Sequence, residues 1–247
     1  MKRILVTLAA TIVAAATAGM VHARDLKFTS PLTQSEFRDF SKEAGSALSY
    51  HNTAPSVTLG ITGFEVAAQA VTVNVPQKAS YWANAFGTDA PDFLVIPSLR
   101  ARKGLPFGID VGALYSYIPD SNIKLYGVEL SKAILNGGII TPTLGVRGSW
   151  SKLAGVDDLD LQTFAADVNL SKGFVIATPY IGAGVVRIES KPKGNLLSLS
   201  PSLSDESITQ SRYFGGVKLS ILPLVSLTGE VEYAQRATYS LKASVGF

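Results

Sequence analysis

The 247 residues include two histidines and no cysteine, so few side chains could act as the general base of an enzyme. His22 lies in the N-terminal leader, which leaves His51 as the possible general base for a serine nucleophile in a lipid-modifying enzyme. No Gly-x-Ser-x-Gly or comparable motif selects a partner serine, and we expect His51 to be a solvated loop residue in the stretch YHNTAPS. The absence of cysteine excludes disulfides, thiolate metal sites and cysteine nucleophiles.

Three neighbouring aspartates, Asp157, Asp158 and Asp160, form a second candidate group. Carboxylate oxygens bind divalent cations, and an aspartate pair is also part of the site of omptin-like outer-membrane proteases. Those proteases additionally need an Asp-His pair, and no histidine follows His51 in this chain. We therefore expect a charged external loop, with no metal site and no cofactor.

Ten other ionisable residues lie on the polar faces of segments in which apolar and polar residues alternate. A period of two is typical of β-strands, because successive side chains point to opposite faces. Five of the ten are cationic and five are anionic, and charges gathered in a narrow interior are costly unless they pair. We predict that they pair with one another, with Arg147 and Lys218 held by Glu129, Asp167, Glu230 or Glu232. The full set is Arg100, Arg102, Asp110, Glu129, Arg147, Asp167, Lys218, Glu230, Glu232 and Lys242.

The segments that carry these charges number about ten and begin near residue 56. A clear example is FGIDVGALYSYI at 107–118, where the odd-numbered residues are mainly apolar. Tight turns, such as those at 136–138 and 172–173, alternate with longer connections, such as those at 76–91 and 191–206. Short turns at one end and longer loops at the other are typical of outer-membrane barrels. The sequence predicts an all-β fold, a transmembrane antiparallel up-and-down β-barrel of about 10 strands (8–12), with its short turns in the periplasm.

A periplasmic β-sandwich is the alternative fold, because alternation alone does not say which face meets water. Three features favour the membrane barrel: an export signal, a terminal aromatic residue and tyrosines near strand ends, where interfacial residues belong. The tyrosines are Tyr115, Tyr117, Tyr213, Tyr233 and Tyr239.

The chain ends on TYSLKASVGF, a two-faced strand with apolar residues at Tyr239, Leu241, Val245 and Phe247. This tail resembles the C-terminal targeting signal of bacterial outer-membrane β-barrel proteins. The resemblance implies recognition by the barrel-assembly machinery and a place in the outer membrane of a diderm bacterium. It is specific for the class and identifies no single family.

Residues 1–23 have the plan of a secretory signal peptide, with Lys2 and Arg3 before an apolar run and a cleavage site expected after Ala23. Removing the two basic residues lowers the formal net charge from +3 to +1. A net charge this close to zero predicts that the protein has no nucleic-acid partner.

The rest of the chain divides into an N-terminal periplasmic or plug segment at 24–55 and a barrel at 56–247. Thr33 and Glu36 have capping-box spacing, and apolar residues then recur at helical spacing, which predicts an amphipathic helix at about 34–48. We expect this helix at the periplasmic rim, with a plug of the periplasmic mouth as the alternative.

These features together predict a structural or loop-presenting barrel with a narrow, charge-paired lumen, and not an enzyme. Outer-membrane lipids, lipopolysaccharide and the barrel-assembly machinery are the expected partners. A small passive channel or carrier for small or apolar solutes is the first alternative. A lipid-modifying outer-membrane enzyme that uses His51 is the second.

Overall fold

A computed structural model describes residues 25–75, 79–86, 93–118, 121–138 and 140–247. Ten strands form a closed antiparallel barrel, in which β10 pairs back to β1, and the predicted fold is confirmed. The predicted signal peptide and its cleavage site lie outside the described residues. The strands are β1 Phe64–Asn74, β2 Phe93–Leu105, β3 Ile109–Tyr117, β4 Lys124–Leu135, β5 Thr143–Ala154, β6 Leu159–Ser171, β7 Ala177–Pro192, β8 Glu206–Leu222, β9 Val225–Tyr233 and β10 Ala237–Gly246.

Within these described ranges, three short α-helices and one 3-10 helix accompany the strands. The α-helices are α1 Gln34–Ala47, α2 Ser80–Phe86 and α3 Gly194–Leu199, and the 3-10 helix is Pro106–Gly108. The predicted capping box is present at α1, because the Thr33 hydroxyl accepts from the Glu36 amide and the Glu36 carboxylate accepts from the Thr33 amide. Among the described residues, no helix has the length and apolar character needed to cross a membrane.

The two ends of the barrel differ in their connections. At one end, here called the short-turn end, β2 to β3, β4 to β5, β6 to β7 and β8 to β9 are joined by two to seven residues. At the other, the loop end, the β1 to β2 and β7 to β8 connections carry α2 and α3. The short-turn end also holds the start of β1 and the C-terminal residue Phe247, which pairs with Phe64.

The outer wall of the barrel is mainly apolar between its two ends, whereas exposed polar residues such as Arg187 and Thr209 lie toward the loop end. Outward residues such as Leu99, Leu130 and Leu241 are more than half exposed, whereas their inward neighbours are polar or charged and buried. This inversion of a soluble protein's pattern is typical of membrane barrels. Exposed tyrosines lie toward the loop end of the wall, at positions 115, 117, 126, 213, 233 and 239.

The interior has two layers. At the loop end, α1 lies inside the mouth of the barrel and packs Phe37, Phe40 and Ala44 into an apolar core shared with the wall. The helix approaches β7 closely at Gly45, where an added Cβ would lie 2.4 Å from the side chain of Ile188. Below this core, the interior is polar and charged.

The N-terminal segment differs from its prediction in two respects. The helix was expected at the end with the short turns, yet α1 lies at the loop end. The barrel was expected from residue 56, yet β1 begins at Phe64, and residues 48–59 run inside the lumen. We call residues 48–59 the lumen segment.

The barrel closes along the seam between β1 and β10, where the last residue is held firmly. The Phe247 amide donates to Phe64 O (3.0 Å), and the Phe64 amide donates to Phe247 O (2.9 Å). The two rings meet edge to face with centroids 4.7 Å apart. The side chains of Tyr239, Leu241 and Phe247 point outward and are exposed.

Deleting Phe247 is expected to leave secretion intact and to impair insertion into the membrane. Its ring is 60% exposed and adds little to the finished wall, so the expected loss arises from the assembly signal that the tail resembles. Heat-modifiable gel mobility and membrane yield measure the effect, with Phe247→Tyr as the control that keeps a terminal aromatic residue. Normal mobility and yield in the deletion would contradict the prediction.

Candidate functional site

The lumen segment enters from the loop end, directly after α1. Ser151 Oγ on β5 donates to Leu48 O (2.8 Å). Two residues further along the segment, Arg212 Nη1 on β8 donates to Tyr50 O (3.0 Å). Arg100 Nη1 on β2 then donates to Asn52 O (3.0 Å). Three strands therefore bind alternate carbonyl groups of the lumen segment.

The lower half of the segment is held in the same way down to the short-turn end. Thr53 N donates to Glu230 Oε2 (2.9 Å), and Asn169 Nδ2 donates to Ala54 O (2.9 Å). Ser56 N donates to the hydroxyl of Ser171, the last residue of β6 (3.2 Å). Leu59 N donates to Asp110 Oδ1 near the start of β3 (3.1 Å). Buried backbone groups need partners, and here side chains of the wall supply them.

Tyr50 anchors the segment in the middle of the lumen. The Arg100 and Arg147 guanidinium carbons lie 4.9 and 5.8 Å from the centroid of its ring, a cation–π arrangement on a buried aromatic side chain. Gly127 of β4 leaves room for the ring, since a Cβ there would lie 2.7 Å from Tyr50 Cδ2. The segment is thus fixed by side-chain packing as well as by its backbone.

Asp167 on β6 is the centre of one part of the ion-pair network. Its carboxylate accepts from Arg147 Nε (3.0 Å) and Nη2 (2.5 Å), and from Arg212 Nε (2.7 Å) and Nη2 (2.5 Å). All three side chains are almost fully buried. Arg147 also donates to the Asn52 side chain, which ties this cluster to the lumen segment.

Glu129 on β4 is the second centre. It lies 3.1 Å from Arg100 Nη2, 3.0 Å from Arg102 Nε and 3.6 Å from Arg147 Nη1. Arg102 Nη2 also donates to Asp110 (3.0 Å). Arg147 therefore links the Glu129 and Asp167 clusters into one network.

The remaining charges lie around the β9, β10 and β1 part of the wall. Glu230 accepts from the Tyr180 hydroxyl (2.8 Å) as well as from the lumen segment. Lys242 Nζ lies 2.8 Å from Glu65 Oε1, and Lys218 Nζ lies 3.7 Å from Glu65 Oε2. Glu232 lies 3.7 Å from Arg212 Nη1.

The structure places all ten predicted charges inside the lumen, nine of them buried and Lys218 partly exposed. Arg147 contacts Glu129 and Asp167, two of the four carboxylates expected for it. Lys218 instead contacts Glu65, which was not expected. With Arg212 and Glu65 added, the lumen holds six cations and six carboxylates. Five of these carboxylates pair with cations, whereas Glu230 accepts from the Tyr180 hydroxyl and from Thr53 N.

His51 is not the solvated loop residue that the sequence predicts. It is buried in the lumen segment, where its Nε2 lies 3.1 Å from Ala47 O and its Nδ1 lies 3.4 Å from Glu232 Oε1. Neither of these two contacts is with a serine. Its side chain therefore links the lumen segment to β9.

Two of the three aspartates, Asp158 and Asp160, have structural contacts at the loop end, and Asp157 is exposed. Asp158 is buried and accepts from the amides of Phe28 (3.1 Å) and Asn195 (2.7 Å). Asp160 lies 2.8 Å from Lys193 Nζ and 3.5 Å from Lys152 Nζ. The expected charged external loop is thus partly buried. Within the described ranges, no cluster of His, Asp and Glu side chains is arranged to hold a metal ion.

The loop end is closed by a cap, defined as residues 25–47 with α2 and α3. Edge-to-face contacts join Phe40 to Phe28 (5.2 Å) and to Trp82 (5.0 Å). Glu43 of α1 accepts from Trp82 Nε1 (2.6 Å) and from Arg236 Nη2 (2.7 Å). Polar contacts also tie α1 to β8, since Gln34 Nε2 donates to Glu206 (2.6 Å).

One residue of the cap has a shifted pKa that reflects these contacts. The Ser80 hydroxyl donates to Glu36 Oε1 (2.6 Å), and Thr33 donates to Oε2. These hydrogen bonds, that of Ser80 first, hold the pKa of Glu36 below its usual value. The carboxylate form of Glu36 therefore joins the start of α1 to α2.

The interior retains little free space. A cavity of about 20 Å³ lies beside Asn52, Asp110 and Arg147, which is room for about one water molecule. In the part of the chain that the structure describes, the middle of the lumen is packed by the lumen segment and the ion pairs.

No protein-family model matches the chain, and no curated protein matches it. Its fold is similar to solved bacterial outer-membrane barrels. The N-terminal β-barrel domain of Pseudomonas aeruginosa OprF is 12% identical, with a TM-score of 0.39 over 76% of this chain and 99% of that one. The KdgM porin is 9% identical, with a TM-score of 0.37 over 74% of this chain and 99% of that one. Acinetobacter baumannii Omp33 is 12% identical, with a TM-score of 0.33 over 76% of this chain and 100% of that one.

Proposed function

We propose that this protein is a closed, non-conducting barrel of the bacterial outer membrane that holds a folded cap over its loop end. The observation that carries the proposal is the occupied lumen. A peptide held by wall side chains between Leu48 and Leu59, and buried as far as Pro55, fills the middle of the lumen together with the ion pairs. A cavity beside it has room for about one water molecule. A barrel filled in this way stabilises its wall and presents the cap, and it offers solutes no open path.

The outer wall supports residence in a membrane. Its exposed residues are apolar between the two ends, and its tyrosines cluster toward the loop end, as expected of an interfacial girdle. Lys191 and Lys193 lie at the loop end, are about half exposed and pair with Asp205 and Asp160. Outer-membrane lipids and lipopolysaccharide are the partners that we assign to this surface. The barrel-assembly machinery is the partner assigned to the C-terminal tail.

The proposal gives His51 a structural role. A lipid-modifying enzyme would need this side chain beside a nucleophile and within reach of substrate, whereas its contacts are Ala47 O and Glu232 in the buried lumen. The pairing of Glu232 with both His51 and Arg212 favours a contact that fixes the segment.

The proposal is tested by single-channel recording from the full-length protein in planar bilayers. We expect no steady opening steps, because the lumen holds no continuous water column. A general porin reconstituted at the same protein-to-lipid ratio shows that insertion would be detected, and protection from protease confirms insertion of this protein. Steady open steps from the intact chain would reject the closed barrel and favour the small channel.

A further inference from the structure

The first and last described residues, Asp25 and Phe247, lie at opposite ends of the barrel, although the number of strands is even. An up-and-down barrel of ten strands begins and ends at the same end, here the short-turn end with Phe64 and Phe247. Residue 25, in contrast, lies at the loop end, where Leu26 N donates to the Asn122 side chain between β3 and β4 (3.0 Å). The lumen segment spans the distance between the two.

We infer that the N-terminal end of the chain emerges on the outer face of the membrane, beside the loops, while Phe247 faces the periplasm. A peptide attached ahead of Asp25 would then be displayed at the cell surface. The inference rests on the proposed membrane residence and on the proposed orientation with short turns inward.

Several contacts fix the first described residues at the loop end. Phe28 N donates to Asp158 beside the start of β6 (3.1 Å), and Leu32 N donates to Ser200 Oγ in the β7 to β8 connection (2.9 Å). Ser41 Oγ of α1 lies 2.9 Å from Ser190 Oγ of β7. These contacts join the N-terminal segment to two connections of the loop end and to the end of β7.

The lumen accommodates one polypeptide segment. Wall side chains hydrogen-bond to carbonyl and amide groups between Leu48 and Leu59, and a cavity beside the segment has room for about one water molecule. The interior is therefore built around a peptide, and it is this peptide that carries the chain from the short-turn end to the loop end.

Surface labelling of intact cells tests the inference. A short hydrophilic epitope is placed immediately before Asp25 in one full-length variant, between the exposed Pro201 and Ser202 of the loop end in a second, and between the exposed Gly173 and Phe174 of the short-turn end in a third. Antibody binding is compared before and after permeabilisation of the outer membrane.

We expect the epitopes before Asp25 and at Pro201 to be labelled equally with and without permeabilisation, and the epitope at Gly173 only after it. If the epitope before Asp25 behaves like that at Gly173, the inference is wrong, whatever the orientation of the barrel. A third result is that the epitopes before Asp25 and at Pro201 are both labelled only after permeabilisation. The segment would then still cross the lumen, and only the proposed orientation of the barrel in the membrane would be wrong.

Disulfide formation provides a second measurement that does not depend on epitope folding, because the chain has no cysteine of its own. In Ser41→Cys/Ser190→Cys the two sulfur atoms replace hydroxyl oxygens 2.9 Å apart, which suits disulfide geometry. In Ser41→Cys/Ser226→Cys the second cysteine lies near the short-turn end. We expect oxidation to cross-link the first pair and to leave the second free, and the reverse result would place α1 at the short-turn end.

Discussion

Replacing Asp167 by asparagine should lower the free energy of unfolding by about 3–5 kcal/mol, the loss typical of a buried ion pair that keeps only one partner. Asp167 accepts four hydrogen bonds from Arg147 and Arg212, and all three side chains are buried. The neutral amide would leave two guanidinium groups with weaker contacts at 3.6 and 3.7 Å. Equilibrium unfolding by urea from lipid or detergent measures the change.

Asp160→Asn is the matched control, because Asp160 lies on the same strand and also contacts two cations. Its side chain and those of Lys152 and Lys193 are partly exposed, so water screens the charges that remain. We expect a loss of about 1 kcal/mol or less. A similarly small loss for Asp167→Asn would mean that water reaches the network, and it would raise the channel alternative above the closed barrel.

Removing residues 25–59 should convert a silent barrel into one that shows steady conductance steps. The deletion takes away the lumen segment and α1, and it leaves six cations and six carboxylates facing a space that water can then enter. Planar-bilayer recording measures the change, and heat-modifiable gel mobility reports whether the wall still closes. A folded deletion variant that remains silent would contradict the assignment of the lumen segment as the element that fills the barrel.

Two further proteins make this experiment decisive. Deleting residues 25–31 alone keeps Thr33, α1 and the lumen segment, so this control should stay silent. Where the larger deletion prevents folding, a protease site inserted after Ile61 serves instead, because Ile61 is exposed in the turn before β1. Cleavage there frees the segment from the wall, and mild urea then releases it from an already closed barrel.

The wall of the barrel was predictable because its pattern is local. Alternation in 107–118 identifies the inward face of β3, and the paired register of β5 and β6 brings Arg147 opposite Asp167. Both the strand number and the ten inward charges follow from a period of two, which depends only on neighbouring residues. The capping box at Thr33 and Glu36 is equally local, and α1 begins where it predicts.

The contents of the lumen were not predictable in this way. The stretch HNTAPS is polar and contains a proline, which is typical of a loop in water. It is buried because Arg100, Glu230 and Asn169, far away in sequence, supply its hydrogen bonds. For the same reason, the amphipathic face of α1 is equally compatible with either mouth of the barrel. Glu65 was missed because the first strand was predicted to begin at residue 56, so the alternation that places Glu65 on the inward face of β1 was not recognised.

The position of the lumen segment also fixes an order of events in folding. Thr53 and its partner Glu230 are 177 residues apart, and Tyr50 and Arg212 are 162 apart, so the interior contacts form only when most of the wall is present. Helix α1, once folded and packed against the mouth of the barrel, is bulkier than the single peptide that the lumen holds below it. We therefore expect the wall to wrap around the N-terminal segment, with the seam between β1 and β10 closing last. Unfolding reverses this order, since the enclosed chain is released only after the seam parts, and the lifetime of the folded protein is then set by a rate of opening more than by an equilibrium.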